Sequence, residues 1–135
     1  MLVGSKSIAA LLSVGVLGAG AGIAAAASTG SVGMSVDTWV TYNGSYQFNC
    51  GRGACNYGTL TASHGDWSHL NVTTGGYGWT TIATANSTSP NDVARTGVNE
   101  EVYDPQATSI NEFSLQLCHN ESLLPDRCTQ RTFNK

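Results

Sequence analysis

The sequence predicts an all-β protein. The expected form is a small single-domain β-sandwich, or failing that a small barrel, of about seven to eight short antiparallel strands. Two disulfides would staple it, behind an N-terminal signal peptide. Three observations lead there. Residues 28–135 show no sustained helical period with caps, while short β-branched and aromatic runs recur between Gly, Asn and Pro turn signals. Their four cysteines form an even set in a domain of roughly 100 residues, the usual size of a disulfide framework outside the reducing cytosol. The first 27 residues have the three-part composition of an export leader.

The leader comes first. Lys6 is the only charge before Asp37, and an apolar run from Ile8 to Leu17 follows it. A Gly- and Ala-rich tail then ends at Ala27, with cleavage expected after Ala26 or Ala27. The rival reading is a retained anchor, since residues 7–36 carry no charge, but Gly15, Gly18, Gly20 and Gly22 weaken such a helix. The division is therefore a signal peptide over 1–27 and a secreted β domain over 28–135. That length excludes a multidomain enzyme with separate cofactor and substrate lobes.

Composition narrows the partners. Charged residues are 11% of the chain, against about 25% in an average globular protein, and hydrophobic residues are 41%. The domain carries five basic residues, Arg52, Arg95, Arg127, Arg131 and Lys135, against nine acidic ones. An acidic surplus disfavours nucleic acid and anionic lipid, which need a basic footprint. No membrane association is expected once the leader is removed.

The strands follow in order. Residues 39–42 and 45–50 flank Asn43-Gly44, a strong signal for a two-residue hairpin turn. That registration puts Trp39, Tyr46, Phe48 and Cys50 on one core face and leaves Tyr42 on the other, exposed. Residues 51–54 then turn the chain so that Cys50 meets Cys55 directly. A second hairpin joins residues 69–74 to 77–84 through Gly75-Gly76, with Val72 opposite Trp79. Residues 86–92 are a loop by composition, and 93–98 and 101–103 are weaker strands. The last pair comprises residues 112–118, where Phe113, Leu115 and Leu117 alternate, and 129–133. Four cysteines allow three connectivities; the hairpins favour Cys50–Cys55 with Cys118–Cys128. The spacings between them do not match paired zinc knuckles.

Candidate chemistry is sparse. His64, Asp66 and His69 lie within six residues and hold the residue types of a metal site or of a small hydrolase, while a polar turn bent at Gly65 explains them more simply. Glu100 and Glu101 read as a solvated strand edge and not as a glycosidase pair. Tyr77 and Trp79 share a strand face; core packing is the first expectation for them, and a sugar-stacking platform the functional one. Tyr42 is the ring expected to be exposed. Arg52 is an exposed cation between Gly51 and Gly53.

The loop between Cys118 and Cys128 displays Leu123, Leu124 and Pro125, either capping one end of the sandwich or standing free. Over these eleven residues it resembles the cystine-closed inhibitory loops of Bowman–Birk proteins, whose loops are shorter and whose cysteine framework is richer. The resemblance implies a preorganised loop that docks on a serine protease at reduced entropic cost.

The expectation is a secreted, monomeric, non-enzymatic recognition protein without cofactor or metal. Its disulfide-rigidified loops would bind an extracellular protein or a cell-surface polysaccharide. The alternatives are a peptidase inhibitor or antimicrobial toxin-like protein and, behind them, a hydrolase with a His/Asp site.

Overall fold

The computed structural model describes residues 2–5, 28–75, 77–121 and 123–135. Every regular element in them is a strand: β1 (Leu2–Ser5), β2 (Thr29–Asp37), β3 (Val40–Cys50), β4 (Gly53–Ser63), β5 (Trp67–Thr73), β6 (Thr80–Asn86), β7 (Val93–Tyr103), β8 (Glu112–Asn120) and β9 (Arg127–Asn134). Eight of the nine fall within residues 28–135. Of the expected leader over residues 1–27, residues 1 and 6–27 lie outside the described residues, and Leu2–Ser5 pairs with residues 100–103 as β1.

Two antiparallel sheets face each other, one in the order β1-β7-β4-β3-β2 and the other in the order β6-β5-β8-β9. Hydrogen bonds tie the sheets along both sides. Thr96 Oγ1 donates to the Thr84 carbonyl at 2.5 Å, and Arg131 Nη1 to the Gly33 carbonyl at 3.3 Å. Because the strands alternate in direction, the connections β2–β3, β4–β5, β6–β7 and β8–β9 gather at one pole. Those joining β3–β4, β5–β6 and β7–β8 gather at the other.

The core follows from period-two alternation. Phe113, Leu115 and Leu117 of β8 point inward, as do Leu70 and Val72 of β5, against Val40, Tyr42, Phe48 and Leu60 of the facing sheet. Toward the second pole an aromatic group forms. Phe113 lies 5.1 Å from Phe133 and 5.4 Å from Phe48, and Tyr46 lies 4.9 Å from Phe133, within the favourable range for ring pairs. The outward face of the second sheet is satisfied by a polar ladder, in which Asn71 bonds both Gln116 and Thr81.

Several expectations are corrected. Asn43-Gly44 is not a turn: β3 runs unbroken through it, and the chain reverses at Thr38-Trp39. A Cβ on Gly44 would stand 2.1 Å from the Tyr57 carbonyl oxygen and 2.8 Å from the Gly58 Cα. The glycine is needed for this close approach of β3 to β4. Without a turn there, alternation carries Tyr42 onto the face of Phe48, and it is fully buried. Its burial removes it from any surface platform. The reversal at the end of β3 is also tighter than expected. Cys50 pairs with Gly53 across Gly51-Arg52, with Gly51 at φ 66, while Asn49 at φ 59 bulges out of register. The residue opposite Cys55 is Gln47.

Further along, the hairpin of β5 and β6 exists, but the strands part at Thr74. Val72 faces Thr80, and Tyr77 and Trp79 sit in the connection, neither in the core nor on a strand face. The two weak strands are one, β7, an interior strand between β4 and β1; Glu101 on it is buried, and burial raises the Glu100 carboxyl above its ordinary range. Two strands were not expected: β2, and β1 within the span of the leader.

Both disulfides form with the favoured pairing, and all four cysteines are used. Cys50–Cys55 spans 5.7 Å between Cα atoms and Cys118–Cys128 spans 4.1 Å, so each pole has one pinned hairpin. Paired cysteines are compatible with a place outside the cell. Among the described residues no helix is long and apolar enough to cross a membrane.

Candidate functional site

At the first pole the connections close over the core with polar groups. Asp37 ends β2, Asp66 precedes β5, and His119 continues the inward row of Phe113, Leu115 and Leu117 on β8. Among the described residues these three form the one group of His, Cys, Asp or Glu side chains that converges closely enough to share an ion.

Asp37 is fully engaged. Its Oδ1 accepts the backbone N–H of Trp39 at 2.9 Å and of Val40 at 3.1 Å, which shapes the β2–β3 turn. Its Oδ2 lies 2.8 Å from His119 Nδ1 and accepts from Arg127 Nη2 at 2.8 Å. Partial burial raises the Asp37 pKa. The Trp39 amide, His119 and Arg127 together outweigh it, so the carboxyl sits below its ordinary value. Arg127 also reaches Glu121 through Nε at 2.5 Å, bracing the base of the β8–β9 loop.

Asp66 is less well served. The turn that positions it has His64 at φ 61 and Gly65 at φ 82, with the Asp66 amide donating to the Ser63 carbonyl at 3.1 Å. Positive φ at both central positions makes this a type I′ turn. Asp66 Oδ1 faces His119 Nε2 at 3.2 Å, while its Oδ2 is buried with no hydrogen-bond partner among the described residues. A cleft of about 560 Å³ opens beside them, walled by Gly65, Trp67, Asn120 and Glu121.

The cluster around His64 and His69 does not assemble. The His64 ring lies on Trp39, with centroids 3.7 Å apart, and its Nδ1 meets Ser63 Oγ at 3.1 Å. His69 sits within β5, registered between Thr84 and Cys118. A nucleophile–base–acid chain needs the acid behind the base, and Asp66 faces His119 instead. Asp66 alone of those three residues joins a site.

No family model matches the chain, and neither do the curated proteins or solved structures compared with it. What the site can do therefore follows from its own geometry.

The expected binding residues divide between the poles. Leu123, Leu124 and Pro125 stand on the β8–β9 loop at the first pole, with Leu123 95% and Leu124 65% exposed. They stand free and do not cap the sandwich. Trp67 and Trp39, both exposed, are on the same pole, and neither was singled out as a binding residue from the sequence. At the second pole are Arg52, Tyr77 and Trp79. The Arg52 guanidinium lies 4.2 Å over the Tyr103 ring, and Tyr77 donates its hydroxyl to Asp104 at 3.0 Å. Tyr77 and Trp79 are exposed, but no strand aligns them as a platform.

Proposed function

We propose that the protein is an exported, non-enzymatic recognition module that engages a protein partner through the β8–β9 loop. The observation that carries this reading is the near-complete exposure of Leu123 beside Leu124 on a loop closed by Cys118–Cys128. Burying a leucine side chain is worth roughly 1.5–3 kcal/mol, and a loop already ordered by its disulfide and by Arg127 loses little further freedom on docking. Trp39 and Trp67, exposed at the same pole, are of the residue type most enriched at binding hot spots. The paired cysteines and the leader-like start support action outside the cell.

The test is capture from the exported and surface-protein fraction of the producing cells, with wild-type protein and a Leu123→Asp/Leu124→Asp variant immobilised side by side. The expected result is a protein retained by the wild type and lost with the variant. Identical retention by both would overturn the reading. So would binding to an insoluble polysaccharide that Trp79→Ala abolishes and the loop variant leaves intact, since it would place recognition at the second pole.

Leu123-Leu124-Pro125 on a cystine-closed loop also favours a narrower second reading, in which the partner is a serine protease with an apolar primary pocket. Subtilisin- and chymotrypsin-type enzymes titrated with the protein are then expected to lose activity stoichiometrically. Full activity at excess protein, with the Leu123–Leu124 bond uncut, removes this version alone.

A further inference from the structure

We propose that His119 Nε2 and Asp66 together bind a divalent transition-metal ion of the zinc class, in the cleft between the β4–β5 turn and the β8–β9 loop. The proposal does not depend on the recognition reading.

Three features of the geometry point to a cation at this position. The first is the asymmetry of the two aspartates. Asp37 has both oxygens occupied, by two backbone amides, by Arg127 and by His119 Nδ1. In the tautomer with its proton on Nδ1, His119 donates to that carboxylate and leaves the Nε2 lone pair for the cleft. Metal-binding histidines are held in the same fashion by an outer carboxylate. Arg127 Nη2, 2.9 Å from Nδ1, already supplies positive charge on that side, so an ion belongs on the Nε2 side.

The second feature is spacing. In that tautomer Nε2 and Asp66 Oδ1 are both acceptors, and they lie 3.2 Å apart. That distance matches the edge of a tetrahedron with metal–ligand bonds of about 2.0–2.1 Å, roughly 3.3 Å. Asp66 Oδ2, buried and without a partner among the described residues, leaves the same carboxylate with a second oxygen to give.

The third is charge. Asp37, Asp66 and Glu121 converge on His119, and among the described residues Arg127 is the one other cationic side chain paired with them, which leaves a negative surplus around the imidazole. A divalent ion removes it. The cleft has room for the remaining coordination positions, filled by water or by a donor from a bound partner. Imidazole with carboxylate is a donor set suited to zinc.

The test uses the full exported protein without an affinity tag, stripped with a chelator and titrated with Zn²⁺ by calorimetry and with Co²⁺ by visible absorption. One equivalent is expected to bind, raising the thermal midpoint. Asp66→Asn, which keeps the shape of the side chain, is expected to weaken affinity tenfold or more, and His69→Ala to leave it unchanged. Nitrogen NMR of His119 should show Nε2 shifted by Zn²⁺ while Nδ1 keeps its proton. Absence of saturable binding would overturn the proposal. Unaltered affinity in a folded Asp66→Asn protein would also do so, as would an imidazole protonated on both nitrogens that Zn²⁺ does not change.

Discussion

Burial of Tyr42 carries a cost that its surroundings explain. Its ring fills the space that Gly44 and Gly58 leave open, close enough that a Cβ on either would strike it, and its hydroxyl is buried without a partner among the described residues. An unpaired buried hydroxyl costs about 1–3 kcal/mol. Tyr42→Phe is therefore expected to match or exceed the wild type in stability by about 1 kcal/mol in denaturant unfolding. Burial also raises the Tyr42 pKa above its ordinary 10.0. Because the folded value is the higher one, its contribution is complete below pH 10 and disappears as pH climbs through the folded value. Wild-type stability should fall on that alkaline limb, and the Phe variant should fall less. Tyr42 also shows what the sequence conceals: an Asn-Gly pair is a turn signal only when nothing else needs a glycine, and the close contact with Gly58 is invisible along the chain. His119 was within reach, because the alternation of Phe113, Leu115 and Leu117 places residue 119 on the inward side. Its pairing with Asp37, 82 residues away, was not.

Among the elements, β3 and the β8–β9 hairpin give opposed expectations. Two residues inserted between Asn43 and Gly44, which a hairpin tip would accept, should abolish folding, because they break the pairing of β3 with both β2 and β4. Retained native dichroism would contradict the observed register. Two residues inserted after Leu124 should leave the thermal midpoint nearly unchanged, since the loop there makes no ladder. Replacing Cys118 and Cys128 by Ser is expected to cost about 2–3 kcal/mol and to open the Leu123–Leu124 bond to proteolysis. A variant as resistant to nicking as the wild type would show that Arg127 alone orders the loop. β2 could have been read: Val32, Met34 and Val36 alternate with small polar residues, but their proximity to the leader hid the pattern.

For the molecule as a whole, the sandwich and its two bridges were legible because alternation, turn residues and cysteine spacing act locally. The grouping of loops into poles was not, since it depends on which strands cross between sheets. Mass analysis of the unreduced exported protein is expected to show a start near Ser28 and four thiols that resist alkylation until reduction. A start at Met1 would instead keep β1 on the edge of β7. One further consequence comes from the directions of β2 and β9. The domain enters its fold at Thr29 and leaves it at Asn134 on the same side, a full strand length from Leu123. A tether at either flank, whether a lipid bilayer, a fused carrier or a bead, would hold the molecule like a lamp on its stalk, with the leucines facing outward.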